Sequence, residues 1–328
     1  MFRFSIAMGT FNGGRYLQEQ LDSILSQTRL PDEFVVCDDG SQDDTLEILR
    51  RFQKSAPFPV EVHENPRRLG WAKNFERTID FCTGDVVAPC DQDDVWREDK
   101  LQRHEEIYAS EPDVLLIFNN ARYIDASSRL ISDRNVFQTT FDRDPGLRDA
   151  MAGDKAFTVL ARTPRVSGCM MSFRANWWRR IAPVPDGIGH DDWVALCLSL
   201  VGRIQIVEEP LNQYRDHAAQ VTKGDGSTPP SAVFNTLMKQ RADQLEHCRD
   251  RICEFASANG PVRFPAYQSH LDGLIRHLRR RSTLSRFRAL RAPVVLKELA
   301  LGRYAKFNDN LRDCLSQDGR QGRFLGLD

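Results

Sequence analysis

Three carboxylates crowd into four consecutive positions, Asp91, Gln92, Asp93 and Asp94, directly after an apolar run with strand character. Adjacent carboxylates repel unless a cation or a positive partner neutralises them. A hard divalent ion such as Mg²⁺ or Mn²⁺ takes oxygen ligands, keeps positions open for diphosphate oxygens and offsets the charge on a leaving group. A solvated acidic turn or a helix cap would have the same spelling. A second cluster, Asp38-Asp39-Gly40-Ser41, follows another apolar run. A carboxylate there can accept hydrogen bonds from a base ring N–H or a ribose hydroxyl, although Asp-Gly also marks ordinary turns. The third cluster, Gly189-His190-Asp191-Asp192-Trp193, opens a helical stretch after Pro183, Pro185 and Gly187. An Asp at a helix start can remove the proton of an attacking hydroxyl, or serve only as the helix cap.

These clusters need a scaffold that delivers them to one place. The first hundred residues alternate short apolar runs with amphipathic stretches, the pattern of a mostly parallel sheet with helices on its faces. Strands are predicted at 4–8, 33–37, 60–64 and 85–89, and helices at 16–26, 44–53 and 71–82. The polar clusters then fall at strand carboxyl ends, where open parallel sheets bind ligands. Farther on, 114–119, 166–173 and 204–208 read as strands and 191–201 as a helix. The polar segment 125–155, dense in charge from Asp142 to Asp149, reads as a mobile loop. From Pro229-Pro230 onward the texture becomes helical, which sets a domain boundary near 218–230.

The order of the clusters identifies them. Thr10-Phe11-Asn12-Gly13-Gly14, Ser26-Gln27-Thr28, Asp38 through Thr45, Asn65 with Gly70, and Asp91-Gln92-Asp93-Asp94 together resemble the family 2 glycosyltransferases over about residues 3–217. The resemblance implies an α/β GT-A (Rossmann-like) fold, a nucleotide-sugar donor, a DxD-type metal motif with Mn²⁺ or Mg²⁺ as cofactor, and inversion at the anomeric carbon. It divides the chain into a catalytic domain over 1–220, with nucleotide-sugar binding in 1–120 and the acceptor side in 121–220, and a helical extension over 221–328.

By the same resemblance, Thr10 and Asn12 approach the nucleotide and Asp39 contacts the base. Asp93 is the expected metal ligand, Asp91 lies nearer the ribose, and Asp94 could take either part. Lys73 stands where the family often has a basic side chain near the diphosphate, or is a surface lysine. Asp191 is expected as general base, with Asp192 as its neighbour or as the catalytic stand-in. Tyr214-Arg215-Asp216-His217 looks like a segment of rhamnosyltransferase-type members, so Arg215 or His217 could face the diphosphate, and His217 could complete the metal shell or be structural. Residues 165–170 resemble the strand lining the sugar pocket of that subgroup; a packing strand would look the same. These features point to deoxythymidine diphosphate rhamnose as donor, with a uridine diphosphate hexose as the alternative. The expected acceptor is a glycan or a lipid-linked precursor of surface polysaccharide.

The last third resembles no family. Between Ile275 and Arg291 stand Arg276, His277, Arg279, Arg280, Arg281, Arg286, Arg288 and Arg291 without one acidic residue, beside an apolar set that includes Leu274, Leu278 and Leu284. Such an element can lie on an anionic membrane, giving a peripheral contact for an enzyme with a lipid-linked acceptor, or pack as an ordinary helix. An RNA-binding arm is the other reading of the arginines, but few aromatics interleave them. A non-catalytic sugar-binding module would need a missing base or metal motif, and neither is missing.

Whole-chain properties bound these readings. In 328 residues, 41% hydrophobic and 28% charged content is that of a globular chain and argues against long disorder or a membrane-embedded body. A formal net charge of −1 carries no global nucleic-acid signature. Eight cysteines without a CxxC pair read as reduced core thiols of a cytoplasmic protein, and 2–8 lacks the features of a secretory signal.

Overall fold

The computed structural model of the protein describes residues 1–141, 146–162, 165–217, 231–259, 264–284 and 288–307. Chain contacts divide it into two compact units. The first comprises 1–156, 165–184 and 188–220; the second comprises 157–164, 185–187 and 221–328.

The first unit is built on a nine-stranded sheet. Its strands are β1 (Phe4–Thr10), β2 (Glu33–Asp38), β3 (Val60–Glu64), β4 (Val86–Cys90), β5 (Val95–Trp96), β6 (Val114–Ile124), β7 (Leu130–Asn135), β8 (Met171–Arg174) and β9 (Arg203–Arg215). They lie in the order β3-β2-β1-β4-β8-β6-β9-β5, with β7 on β6. The β3-β2-β1-β4 half is parallel, as the alternating pattern predicts, and β6 pairs parallel with β9. The other pairings are antiparallel and only two or three residues long, so the sheet is mixed with most of its paired length parallel.

β1, β2 and β4 are near-continuous apolar runs because both faces are covered. On one face Phe4, Ile6 and Met8 pack against Leu17, Leu21 and Ile24 of helix α1 (Gly14–Leu25) and join Ile48, Leu49 and Phe52 of α2 (Thr45–Ser55) in one core. On the other face lies α3 (Trp71–Phe81). Gly9 lets it approach: a Cβ there would stand 3.2 Å from both Asn74 and Phe75.

β4 is where the topology turns. Its pairing with β8 involves only Val86 and Val87, so the end carrying Pro89 and Cys90 has no strand partner on that side. The acidic loop emerges at this opening. β5 and helix α4 (Lys100–Ser110) follow, and neither is foreseen from sequence.

The mobile loop expected over 125–155 is not what the chain forms. β7, α5 (Val136–Phe141) and α6 (Gly146–Ala152) occupy its described part; Asp142 to Pro145 lie outside the described residues. Val136, Phe137, Phe141, Leu147 and Met151 are buried, an apolar set sparse enough for the surrounding charge to mask. After α7 (Ala156–Arg162), the strand expected over 166–173 is shorter, with a 3₁₀ turn at Gly168–Met170 ahead of β8. Next come α8 (Trp178–Ile181) and α9 (His190–Leu198), and β9 then runs well past the strand expected at 204–208.

The second unit contains α10 (Ser231–Asn259), α11 (Phe264–Ser282), α12 (Arg288–Ala300) and α13 (Arg303–Phe307). Ala242, Leu245, Cys248, Ile252 and Phe255 of α10 and Leu271, Leu274, Ile275 and Leu278 of α11 are buried at helical spacing. The part of the basic stretch up to Ser282 is therefore on a packed helix. Two of its arginines are paired from other elements: Arg279 with Asp243 and Glu246, and Arg280 with Glu298. Arg281 and Arg291 are buried. Arg279 and Arg280 are thus not uncompensated as the local sequence suggests, because their acidic partners lie too far along the chain to be seen there. Arg286 lies outside the described residues, as does the boundary at 218–230. No helix among the described residues is long and apolar enough to cross a membrane, and the seven described cysteines form no disulfide.

Candidate active site at the strand carboxyl ends

The loops after β1 and β2 are laced together by short polar side chains. Thr10 Oγ1 donates to Asp38 Oδ2 (2.7 Å), and Asp38 Oδ1 accepts from the backbone N–H groups of Gly40 (3.1 Å) and Ser41 (2.8 Å). Ser41 Oγ also donates to Asp38 and accepts from Asn12 N, while Asn12 Oδ1 accepts from Gln42 N (2.8 Å). Asn12 holds φ at 49°, a left-handed conformation that Asn tolerates better than most residues. Thr10 is buried, and its side chain fixes the loop through Asp38. Asp38, in the motif but not singled out from sequence, is the hub.

Asp39 is held by the neighbouring loop. Its buried carboxylate accepts from Asn65 Nδ2 (2.9 Å), Leu69 N (2.7 Å) and Gly70 N (2.8 Å), so it faces the 65–70 loop. That loop places Arg68 over the Phe11 ring at 3.8 Å. Lys73 donates to Glu76 (2.8 Å) and to the Val184 carbonyl (2.9 Å), and thereby ties α3 to the segment before α9.

Beyond β4 the acidic residues separate by role. Gln92 turns back to Phe11, accepting from its N–H (2.9 Å) and donating to its carbonyl (3.1 Å). Asp93 Oδ2 meets His217 Nε2 at 2.8 Å, and the His217 ring packs on Tyr16. Asp94 Oδ1 accepts from Arg215 N (3.0 Å); its Oδ2 is buried without a hydrogen-bond partner. Asp91, Asp94 and Cys169 each bring a ligand atom within 4.8 Å of the others. Burial first, then the charges of Asp94 and Asp93, push the Asp91 carboxyl well above the usual range. Burial and the Asp93 charge push Asp94 up to about 7.

Arg215 does not face a diphosphate. It is fully buried and donates to the Asp93 carbonyl (2.6 Å), Glu19 (2.6 Å), Ser128 (2.8 Å) and the Asp125 carbonyl (3.1 Å), with its guanidinium over Tyr16. It braces the acidic loop from behind. A second buried cation, Lys100, donates to the Cys169 carbonyl (2.7 Å) and lies over Trp96. Burial pulls its pKa down to about 8. The same carbonyl accepts from Asn212 Nδ2 (2.9 Å). Nothing in the local sequence marks Lys100 as buried, since the helix that carries it is itself unforeseen.

The base candidate stands on the neighbouring turn. Asp191, in the first turn of α9, accepts at Oδ2 from Gly168 N (3.1 Å) and at Oδ1 from Asp192 N (2.9 Å). Asp192 is half-buried beside it. His190 is buried, stacked on Phe75 with ring centroids 4.3 Å apart, and burial lowers its pKa. Gly168 thus bonds Asp191 while Cys169 adjoins Asp91 and Asp94, so one turn joins the base candidate to the acidic cluster.

A parallel half-sheet with an acidic loop and a helix-borne carboxylate at its strand ends defines an α/β protein with its ligand site beyond the strand carboxyl ends. Residues 5–174, just over half the chain, match the model of glycosyl transferase family 2, and the chain belongs to that family. An uncharacterized glycosyltransferase of Nostoc sp. is 28% identical over 227 residues, 66% of each chain. The dTDP-rhamnosyl transferase RfbG of Shigella flexneri is 33% identical over 147 residues, 41% of this chain and 48% of that one. The matches thus span just under two thirds and about half of these relatives' lengths.

Among solved structures, Staphylococcus aureus TarS 1-349 in complex with UDP-GlcNAc aligns with a TM-score of 0.58 at 17% identity, covering 99% of this chain and 94% of that one. The mannosyltransferase PcManGT of Pyrobaculum calidifontis, in complex with GDP-Man and Mn²⁺, aligns at 0.54 and 17% identity, covering 98% and 85%. Both likenesses show the shared GT-A fold.

Proposed function

We propose that the chain is an inverting glycosyltransferase that moves a sugar from a nucleotide diphosphate donor to an acceptor hydroxyl, with Asp191 as general base. The carrying observation is the Gly168-Cys169 turn, which brings Asp191 beside Asp91 and Asp94. A base and a leaving-group site must flank one reacting carbon, and here they adjoin one backbone turn.

The residues present suit a divalent cation. A buried Asp94 oxygen without a partner and Asp91 beside it need a positive charge that Lys100, bonded to the Cys169 carbonyl, does not bring into contact. Asp91, Asp93 and Asp94 would hold Mn²⁺ or Mg²⁺, with His217 positioned by its bond to Asp93 to join them. Such an ion, when bound, supplies Lewis-acid stabilisation of the charge that develops on the diphosphate.

The protein's own groups do the rest. Each Asp191 oxygen accepts one backbone N–H, which orients the carboxylate and leaves lone pairs for the acceptor proton. As the acceptor oxygen bonds to the anomeric carbon, the bond to the diphosphate oxygen breaks on the opposite face and the proton passes to an Asp191 oxygen. A single displacement inverts the anomeric configuration. Asp38 and Asp39 hold the β1, β2 and β3 loops in place for the nucleotide.

The Tyr214-Arg215-Asp216-His217 and His190-Asp191-Asp192-Trp193 segments, together with the match to a dTDP-rhamnosyl transferase, favour dTDP-rhamnose as donor. A glycan or lipid-linked precursor of surface polysaccharide is the proposed acceptor class. The test is donor turnover across nucleotide sugars with and without Mn²⁺, followed by proton NMR of the first product. Release of dTDP with an inverted linkage is expected; a retained anomer would overturn the mechanism.

A further inference from the structure

We infer that the Cys169 sulfur is a ligand of the cation site, and that this site therefore selects thiophilic divalent ions over Mg²⁺. The inference rests on the proposal that the acidic cluster holds a cation, and extends it to which side chains complete the shell and which ions they favour. Cys169 is fully buried on the 3₁₀ turn, and its Sγ lies with carboxylate oxygens of Asp91 and Asp94 inside a 4.8 Å span. A further sign is Asp94, whose Oδ1 accepts from Arg215 N and whose carboxyl faces the Cys169 thiol. The Asp94 side chain is 1% exposed, and its Oδ2 has no hydrogen-bond partner. A carboxylate oxygen left unpaired at that depth is costly unless something positive meets it.

The surroundings fix the sulfur in place. The Cys169 carbonyl is held by Lys100 and Asn212, Gly168 N by Asp191, and Ser167 Oγ lies 3.2 Å from Sγ. Metal–sulfur bonds are about 2.3 Å and metal–carboxylate bonds about 2.1 Å, so closing the three atoms on one ion requires movements of about an ångström. As the bond to sulfur forms, the thiol proton leaves to solvent. One sulfur and two carboxylates suit Co²⁺, Zn²⁺ or Cd²⁺, and suit Mn²⁺ better than Mg²⁺, because soft thiolate discriminates against hard ions. Cys90 is the internal control: it is also buried at the end of β4, but its thiol donates to the Asp91 carbonyl and accepts from Gln20.

The experiment titrates the full chain with Co²⁺, Cd²⁺ and Mn²⁺, reading sulfur-to-metal charge-transfer absorption and binding heat for wild type, Cys169→Ser, Cys90→Ser and Asp91→Asn. Wild type and Cys90→Ser should show the charge-transfer band at one site, and Cys169→Ser should lose it. Cd²⁺ affinity should fall at least about tenfold in Cys169→Ser, against less than about threefold for Mn²⁺. Asp91→Asn should weaken both. Mn²⁺ binding without a Cys169-dependent band would overturn the sulfur ligand and leave the cation proposal standing. No saturable binding of any ion, with or without dTDP, would overturn both. X-ray absorption of the Co²⁺-loaded wild type keeps the test decisive even if Cys169→Ser fails to fold, since a shell of oxygen and nitrogen alone would also overturn the inference.

Discussion

The carboxylate of Asp191 is oriented by two backbone N–H groups, one from its own helix and one from the turn that carries Cys169. Asn at this position keeps the shape and loses the proton acceptor, so Asp191→Asn should bind donor normally and turn over about 10²–10⁴-fold more slowly. Calorimetry with dTDP and initial rates separate the two effects; a dead Asp192→Asn beside an active Asp191→Asn would move the role to Asp192. Asp94 supports a second prediction. A carboxyl raised to about 7 by burial and by Asp93 gives stability that is present at low pH and lost as pH rises from the unfolded value, about 4, through 7. In chelator, the melting temperature of wild type relative to Asp94→Asn should therefore fall between about pH 5 and about pH 8, and Mn²⁺ should remove the difference. Equal slopes would show that Asp94 is not buried as a proton-binding group. The identities of Asp91, Asp93, Asp94 and Asp191 were legible in the sequence because charge repulsion makes such clusters conspicuous. The protein contacts of Thr10, Asp39 and Arg215 were not legible, because a side chain bonded to the protein and one open to a ligand are spelled alike.

At the scale of elements, the acidic loop is shaped by β9 as much as by β4. Arg215 ends β9 and reaches back to Asp93, Asp125, Ser128 and Glu19, joining four chain segments through one planar fork. Arg215→Ala should cost about 2–4 kcal/mol, mostly from lost hydrogen bonds and packing, since Glu19 keeps part of its hydration. Arg215→Lys should recover little, because an ammonium cannot span the fork. Urea unfolding measures both; near-wild-type stability for Lys would mean that charge rather than geometry braces the loop. The parallel strands were readable because burial on both faces makes them continuous apolar runs. β5 and α4 were hidden by a two-residue strand and a polar helix start, and α5 and α6 by the charge around their few buried positions.

Across the whole molecule, net charge near balance conceals an uneven layout, with acidic clusters in the first unit and arginines gathered in the second. The layout was visible in sequence; its meaning was not, because Arg279 finds Glu246 across 33 positions and His277 finds Glu298 across 21. Glu298 is the centre of this second network. It is 1% exposed and accepts from Arg280, Arg303 (2.7 Å) and His277 (2.8 Å). Burial alone would raise its pKa, but the bonds from His277, Arg280 and Arg303 outweigh it and hold the carboxyl below its ordinary value. A lowered carboxylate contributes stability that is present above its unfolded pKa and lost as pH falls through the folded one. The helical unit should therefore loosen below about pH 4.5, and Glu298→Ala, which strands two half-buried guanidinium groups and the buried His277 ring, should cost about 3–5 kcal/mol at neutral pH. Glu298→Gln should fall between, keeping the shape without the charge. Far-UV circular dichroism during urea unfolding at about pH 7 and about pH 4 reads this directly: the gap between wild type and Glu298→Ala should narrow at the lower pH. A gap that does not change with pH would show that Glu298 acts by packing alone, and that the arginines of this unit find their compensation elsewhere.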